Sequence, residues 1–149
     1  MTAPAIRTVA IFNASHDTVD MLKAILSERG YRVVNGMADD VKSGVLDFTE
    51  FMLTHNPDAI IWDIAPPYER NWHFFKLLRS VDLLRSCAIV LTTTHKQHLD
   101  SLAAEETGAI EIIGKPYDLE MIADAVPRAI EQLRAAESGV ATRMFRRRD

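Results

Sequence analysis

Five times along this chain a short apolar run gives way to a segment with helical spacing, and that alternation limits the architecture more than any other feature. The runs begin at Thr8-Val-Ala-Ile-Phe12 and Tyr31-Arg-Val-Val34, and continue with Ala59-Ile-Ile-Trp-Asp63, Ala88-Ile-Val-Leu91 and Ala109 to Ile113. Runs this short and this apolar predict strands buried on both faces. Such strands alternating strictly with helices predict a parallel, doubly wound α/β sheet.

Between the runs, Val19, Leu22 and Leu26 mark a first helix, with Gly30 as its C′ residue. Asn35-Gly36 reads as a turn pair ending the second strand. Val41, Val45, Phe48 and Met52 share one helical face, and Asn56-Pro57-Asp58 breaks that helix. A loop with Pro66-Pro67 leads to a helix whose core side is predicted as Phe74, Phe75, Leu77 and Leu78. Thr92-Thr93-Thr94 leaves the fourth strand, and the helix with Leu99, Leu102 and Ala103 ends at Thr107-Gly108. Asp118 can cap the last helix, whose stripe is Ile122, Val126, Ala129 and Leu133, with a kink expected at Pro127. From Glu137 the pattern dissolves, which divides the chain into a domain over 1–136 and a basic tail over 137–149.

Composition narrows the classes. With 149 residues and 48% hydrophobic content the chain can bury a core. The lone Cys87 forms no internal disulfide, as expected for a reducing, cytoplasmic setting, and no basic neighbour activates it, so it reads as an inert thiol. No apolar run approaches bilayer length and the start does not read as a signal peptide, so no membrane role is expected. Net charge is −4, but the last seven residues carry Arg143, Arg146, Arg147 and Arg148, leaving an acidic body unsuited to nucleic acid. That arginine cluster, with Met144 and Phe145 interleaved, reads as a solvated terminus or as a handle for an acidic partner.

Sheets of this type gather function at the carboxyl ends of their strands. Those positions hold Asn13, Asp63, Thr92 or Thr93, and Lys115. A carboxylate, a hydroxyl and an ammonium on one edge suit phosphorylation of an aspartate. The carboxylate attacks phosphorus while the other two groups bind the transferred oxygens. Counting from the strand favours Thr92 as the hydroxyl, and counting back from Gly108 favours Thr93. Other candidates are weaker. His95 and His98 stand three residues apart without a third metal ligand, and His16 reads as a turn residue or an influence on phosphoryl hydrolysis. Trp62 reads as core. No G-x-G-x-x-G, Walker loop or G-x-S-x-G elbow is present, so no enzyme activity is expected.

The stretches AIIWDIAPP, IVLTT, TGAIEIIGKPY and LKAILSERGYRVV resemble the receiver domain of two-component response regulators, over about Ile6 to Leu133. The resemblance implies a flavodoxin-like fold with five strands in the order 2-1-3-4-5 and a cis bond at Lys115-Pro116. It also implies Asp63 as phospho-acceptor, Thr92 or Thr93 as switch hydroxyl and Lys115 as partner of the phosphoryl group. Asn71 stands where the family has glycine, a place where Asn would tolerate a left-handed backbone. Two departures stand out. Asn13 and Ala14 occupy the positions of the acidic pair that holds Mg²⁺, leaving Asp63, Asn13 and the Ala65 carbonyl for a weak site at best. Asp17, Asp39 and Asp40 are not expected to replace the pair, and Ile112 stands where an aromatic switch residue is usual.

Two functions follow as expectations. One is a stand-alone, atypical receiver in a phosphorelay, loaded by a histidine kinase or phosphotransfer protein and acting by protein binding. The other is a phosphorylation-independent pseudo-receiver that docks on a signalling protein or dimerises through its last two helices. A piece of a longer regulator is a third reading.

Overall fold

The computed structural model describes residues 5–80, 84, 86–104, 110–114 and 118–146, the side chains of 110 and 138–146 excepted. Five parallel strands stand in the order β2-β1-β3-β4-β5: β1 Thr8–Asn13, β2 Arg32–Met37, β3 Ala59–Ile64, β4 Ala88–Thr93 and β5 Ile110–Gly114. The helices are α1 His16–Glu28, α2 Ala38–Lys42, α3 Phe48–His55, α4 Tyr68–Arg79, α5 Lys96–Ala103 and α6 Leu119–Arg146. This is the flavodoxin-like fold expected from the alternation.

Strands β1, β3 and β4 are buried along their whole length, because helices cover both faces of the sheet. Odd positions of β1 and β3, with their even-numbered partners in β4, pack Val9, Ile11, Ala59, Ile61, Ala88 and Val90 against α1 and α6. The alternate positions, Ala10, Phe12, Ile60, Trp62, Ile89 and Leu91, pack with Phe48, Met52, Trp72 and Phe75 of the other helices. The period of two that separates these sets also decides which way each side chain at the carboxyl edge points. At the opposite end, the Asp58 carboxylate accepts from Thr8 N at 2.8 Å and ties β1 to β3.

Helix ends follow local chemistry. Ser15 caps α1 by accepting from Thr18 N, Asp47 caps α3 by accepting from Glu50 N, and Asp118 accepts from Glu120 N at the start of α6. Gly30, at φ 90°, and Asn56, at φ 43°, follow α1 and α3 in the left-handed conformation.

The structure corrects several local expectations. Asn35 and Gly36 lie within β2 instead of ending it. A Cβ at Gly36 would stand 2.8 Å from both Leu46 Cδ1 and Phe12 Cε1, so this glycine serves close packing. The single helical face through Val45 is two helices: Gly44, at φ 80°, and the Asp47 cap interrupt it, and Val45 is exposed. In α4 the core side chains are Trp72 and Phe75 with Phe74 and Leu78 partly buried, while Leu77 is exposed. Strand β4 includes Thr92 and Thr93. Helix α6 contains Pro127 and continues to Arg146, past Glu137. Thr107-Gly108 lies outside the described residues.

Candidate functional site

The carboxyl edge brings three of the expected residues to one side of the sheet. Asn13 ends β1, Asp63 is the penultimate residue of β3, and Thr92 is its register partner in β4. All three are buried, and the Thr92 hydroxyl donates to Asp63 Oδ1 at 2.6 Å. Thr93, one residue on, faces the opposite side of the sheet, where its Oγ1 accepts from His95 N at 3.3 Å. Register therefore places Thr92, not Thr93, on the carboxylate.

The loop after β3 is held by groups that the sequence pattern did not single out for that task. Asn71 Nδ2 donates to the Ala65 carbonyl at 2.6 Å, and Lys42 Nζ donates to Asn71 Oδ1 at 3.0 Å. Asn71 lies in α4 with helical backbone, so its value at this position is its side chain and not a tolerance of left-handed φ. The Tyr68 hydroxyl hydrogen-bonds Thr94 Oγ1, linking the start of α4 to the end of β4. The Tyr68 ring also lies near His95 and His98, at 5.8 and 5.9 Å between centroids. The Pro66-Pro67 peptide bond is cis. No spacing rule could have found these partners. Lys42 and Asn71 are 29 residues apart, and Tyr68 and Thr94 are 26 apart, on helices and strands that meet only in the fold.

The remaining candidates are distributed as follows. Lys115, Pro116 and Tyr117 lie outside the described residues, as do Arg147 and Arg148. His16 and Asp17 are exposed in the first turn of α1, Asp39 and Asp40 open α2, and Ala14 is exposed. Ile112 is partly buried against the aromatic-side core. Trp62 is fully buried, ringed by Phe12, Phe48, Phe74 and Phe75, and its Nε1 has no hydrogen-bond partner among the described residues. Cys87 is a buried free thiol whose pKa is pushed up to about 12, chiefly by burial and then by the charge of Asp58. His95 and His98 stack at 5.5 Å, with Glu69 3.9 Å from His98 Nε2. Among the described residues, no three His, Cys, Asp or Glu side chains gather as a metal site.

A five-stranded parallel sheet with a carboxylate and a hydroxyl paired at its carboxyl edge defines the class of fold, and the comparisons give the family. The family model described as "Response regulator receiver domain" matches residues 9–127, so the chain belongs to that family. It is 31% identical over 118 residues to a protein-glutamate methylesterase/protein-glutamine glutaminase of Rhizobium etli, covering 78% of this chain and 31% of the relative. It is 30% identical over 121 residues to the phosphate regulon transcriptional regulatory protein PhoB of Klebsiella pneumoniae, covering 79% of this chain and 50% of that protein. The chain thus spans half or less of the length of these relatives. Among solved structures, the Vibrio cholerae chemotaxis protein CheY4 superposes with a TM-score of 0.66 at 22% identity, over 84% of this chain and 99% of that one, a likeness of fold. Receiver domains are signalling modules of two-component systems that act with histidine kinases and phosphotransfer proteins, and they are generally not enzymes themselves. Among the described residues, no helix is long and apolar enough to cross a membrane.

Receiver domains typically bind Mg²⁺ at an acidic site beside the acceptor. Here the matching oxygens are those of one carboxylate, one side-chain amide and one carbonyl. Each already accepts a hydrogen bond: Asp63 Oδ1 from Thr92, Asn13 Oδ1 from Ser15 N at 3.0 Å, and the Ala65 carbonyl from Asn71. The set offers one carboxylate at these positions, where the family typically presents an acidic site.

Proposed function

We propose that this chain is an atypical receiver that accepts a phosphoryl group on Asp63 and acts through protein binding. The observation that carries the reading is the Thr92 hydroxyl seated on the Asp63 carboxylate at the sheet's carboxyl edge. In the proposed step a carboxylate oxygen of Asp63 forms a bond to phosphorus as the donor's phosphohistidine N–P bond breaks. The electron pair and a proton end on the donor imidazole. Thr92, which now donates to the carboxylate, turns its hydrogen bond to a transferred phosphoryl oxygen. Lys115 is the proposed counter-charge. Mg²⁺ binding at Asp63, Asn13 and Ala65 is weak or absent in this reading, because carboxylates are missing at Asn13 and Ala14.

The donor is a histidine kinase or phosphotransfer protein, the setting is cytoplasmic, and the chain has no catalytic role of its own. Residues 1–136 form the receiver and 137–149 its basic extension, without contact to nucleic acid or membrane. The test is labelling with acetyl phosphate, read by intact mass, with and without Mg²⁺. We expect one phosphoryl increment in the wild type and none in Asp63→Asn.

The loss of the acidic pair at Asn13 and Ala14 favours a second reading, a pseudo-receiver that docks or dimerises through its last two helices without phosphorylation. A wild type that stays unlabelled under every condition selects it. Asn13→Asp combined with Ala14→Asp separates the cases further. A gain in metal affinity and labelling means that only charge was lost from the edge, and no gain means that the pocket geometry has gone as well.

A further inference from the structure

The Asn71 side chain is held at both ends. Its Nδ2 donates to the Ala65 carbonyl at 2.6 Å and its Oδ1 accepts from Lys42 Nζ at 3.0 Å. An amide with a carbonyl on one side and an ammonium on the other has its orientation fixed, since only the oxygen can face the cation. Asn71 is buried, whereas Lys42, at the end of α2, is exposed. Ala65 is two residues beyond Asp63, so the chain of contacts ends on the loop that carries the acceptor.

The direction from which the cation arrives also matters. Helix α2 follows β2 directly, and β2 pairs with β1 so that Met37 stands beside Asn13. Lys42 therefore comes from the side of the edge where Asn13 and Ala14 supply no negative charge. Positions 13 and 14 thus lack the carboxylates that would draw a divalent ion into the space the ammonium approaches. An ammonium on a flexible four-carbon stem can also follow charge that appears nearby.

We propose that Lys42, seated by Asn71, is the resident cation of the acceptor loop and a positioning residue that orders the Asp63 site without a divalent metal. The proposal rests on the reading of Asp63 as phospho-acceptor, and it makes phosphoryl loading independent of Mg²⁺. The Asn71 amide takes one of the two lone pairs of the Ala65 carbonyl, so a metal there would have to share that oxygen with it.

The test has two arms. In the first, MgCl₂ is titrated into 15N-labelled protein and the amide signals of Asp63 and Ala65 are followed. Lys42→Met, on an exposed residue that does not threaten the fold, should bind Mg²⁺ about tenfold more tightly than wild type, because a repelling charge close by has gone. Asn71→Gly should do the same or more, since it also frees the Ala65 carbonyl. In the second arm, acetyl phosphate labelling in EDTA should proceed in wild type, fall about tenfold in Lys42→Met and recover in Lys42→Arg. Unchanged Mg²⁺ affinity in Lys42→Met overturns the proposal whatever the labelling shows. Absence of labelling in every variant and condition overturns the phospho-acceptor reading instead, and the metal arm still decides the role of Lys42.

Discussion

Beneath α1 and α6 the buried hydrophobic side chains of the core are all aliphatic among the described residues, from Val9 and Ile11 to Ile61, Val90, Ile122 and Val126. Beneath α2 to α5 it buries Phe12, Phe48, Trp62, Trp72 and Phe75. The first face is covered by two long helices and carries alanines at Ala59, Ala88, Ala123, Ala125 and Ala129, which let the helices lie close. The second face is covered by four shorter helices, and rings fill the uneven space between them, with Phe12 and Trp62 centroids 5.1 Å apart. Function divides along the same line. Asp63 and Thr92 point to the aliphatic side of the edge, while Lys42, Tyr68 and Asn71, which hold the acceptor loop, come from helices on the aromatic side. The Asp63 carboxylate is thus set on the aliphatic face, while the loop that follows it is held from the other.

Truncation should break this comparison most sharply. Phe75→Ala removes a fully buried ring and should cost about 3–5 kcal/mol, measured by urea unfolding. Leu22→Ala on the aliphatic face, also fully buried, should cost about 2–4 kcal/mol and less than Phe75→Ala. Equal losses would mean that the aromatic face carries no greater share of stability.

The two threonines separate the faces at the site itself. Thr92→Val keeps the shape but strips Asp63 Oδ1 of its donor, and should cost about 1–3 kcal/mol. Thr93→Val loses only an acceptor for the His95 amide at a solvated loop, and should cost less, about 1 kcal/mol. A reversed order would place the carboxylate's partner on the wrong strand face.

A smaller effect depends on pH. The folded state holds the Cys87 thiol neutral, with its pKa raised from 9.0 to about 12. The unfolded chain releases that proton first, so stability is complete below 9.0 and falls as pH climbs toward 12. The loss is about 1 kcal/mol near pH 10, and Cys87→Ala should flatten that part of the profile. The same burial predicts a thiol that a soluble disulfide reagent does not modify until the protein unfolds.

The smallest effect belongs to the surface that joins α1 and α6. Arg29 and Asp124 meet at 2.6 Å, and the partnership raises the Arg29 pKa, but both side chains are largely solvated. Arg29→Ala should leave the urea midpoint within experimental scatter, with or without sodium chloride.

Much of the fold was legible because burial on both faces writes itself as continuous apolar runs, and β1, β3 and β4 are such runs. What misled was local chemistry overruled by packing. Asn35-Gly36 has the composition of a turn, yet Gly36 is a strand residue chosen because Phe12 and Leu46 leave no room for a Cβ. Val45 fits a helical period that Gly44 and Asp47 interrupt. At the site, Asn13, Asp63 and the threonine pair could be read from their places after strands, but counting could not choose between Thr92 and Thr93. Register chose, because pairing Asp63 with Thr92 sends Thr93 to the far side. The Lys42–Asn71–Ala65 chain had no signature, since long-range contacts between single polar side chains leave no periodicity.

The strand that carries those threonines has one more consequence. Thr92 grips the carboxylate on one side of the sheet, and Thr93 holds the His95 amide on the other. A single peptide unit therefore separates the threonine on the buried Asp63 carboxylate from the one that faces Tyr68, His95 and His98. Any tug on the Thr92 hydroxyl that shifts its backbone must tilt that unit like a seesaw, and the tilt emerges on the far side at His95.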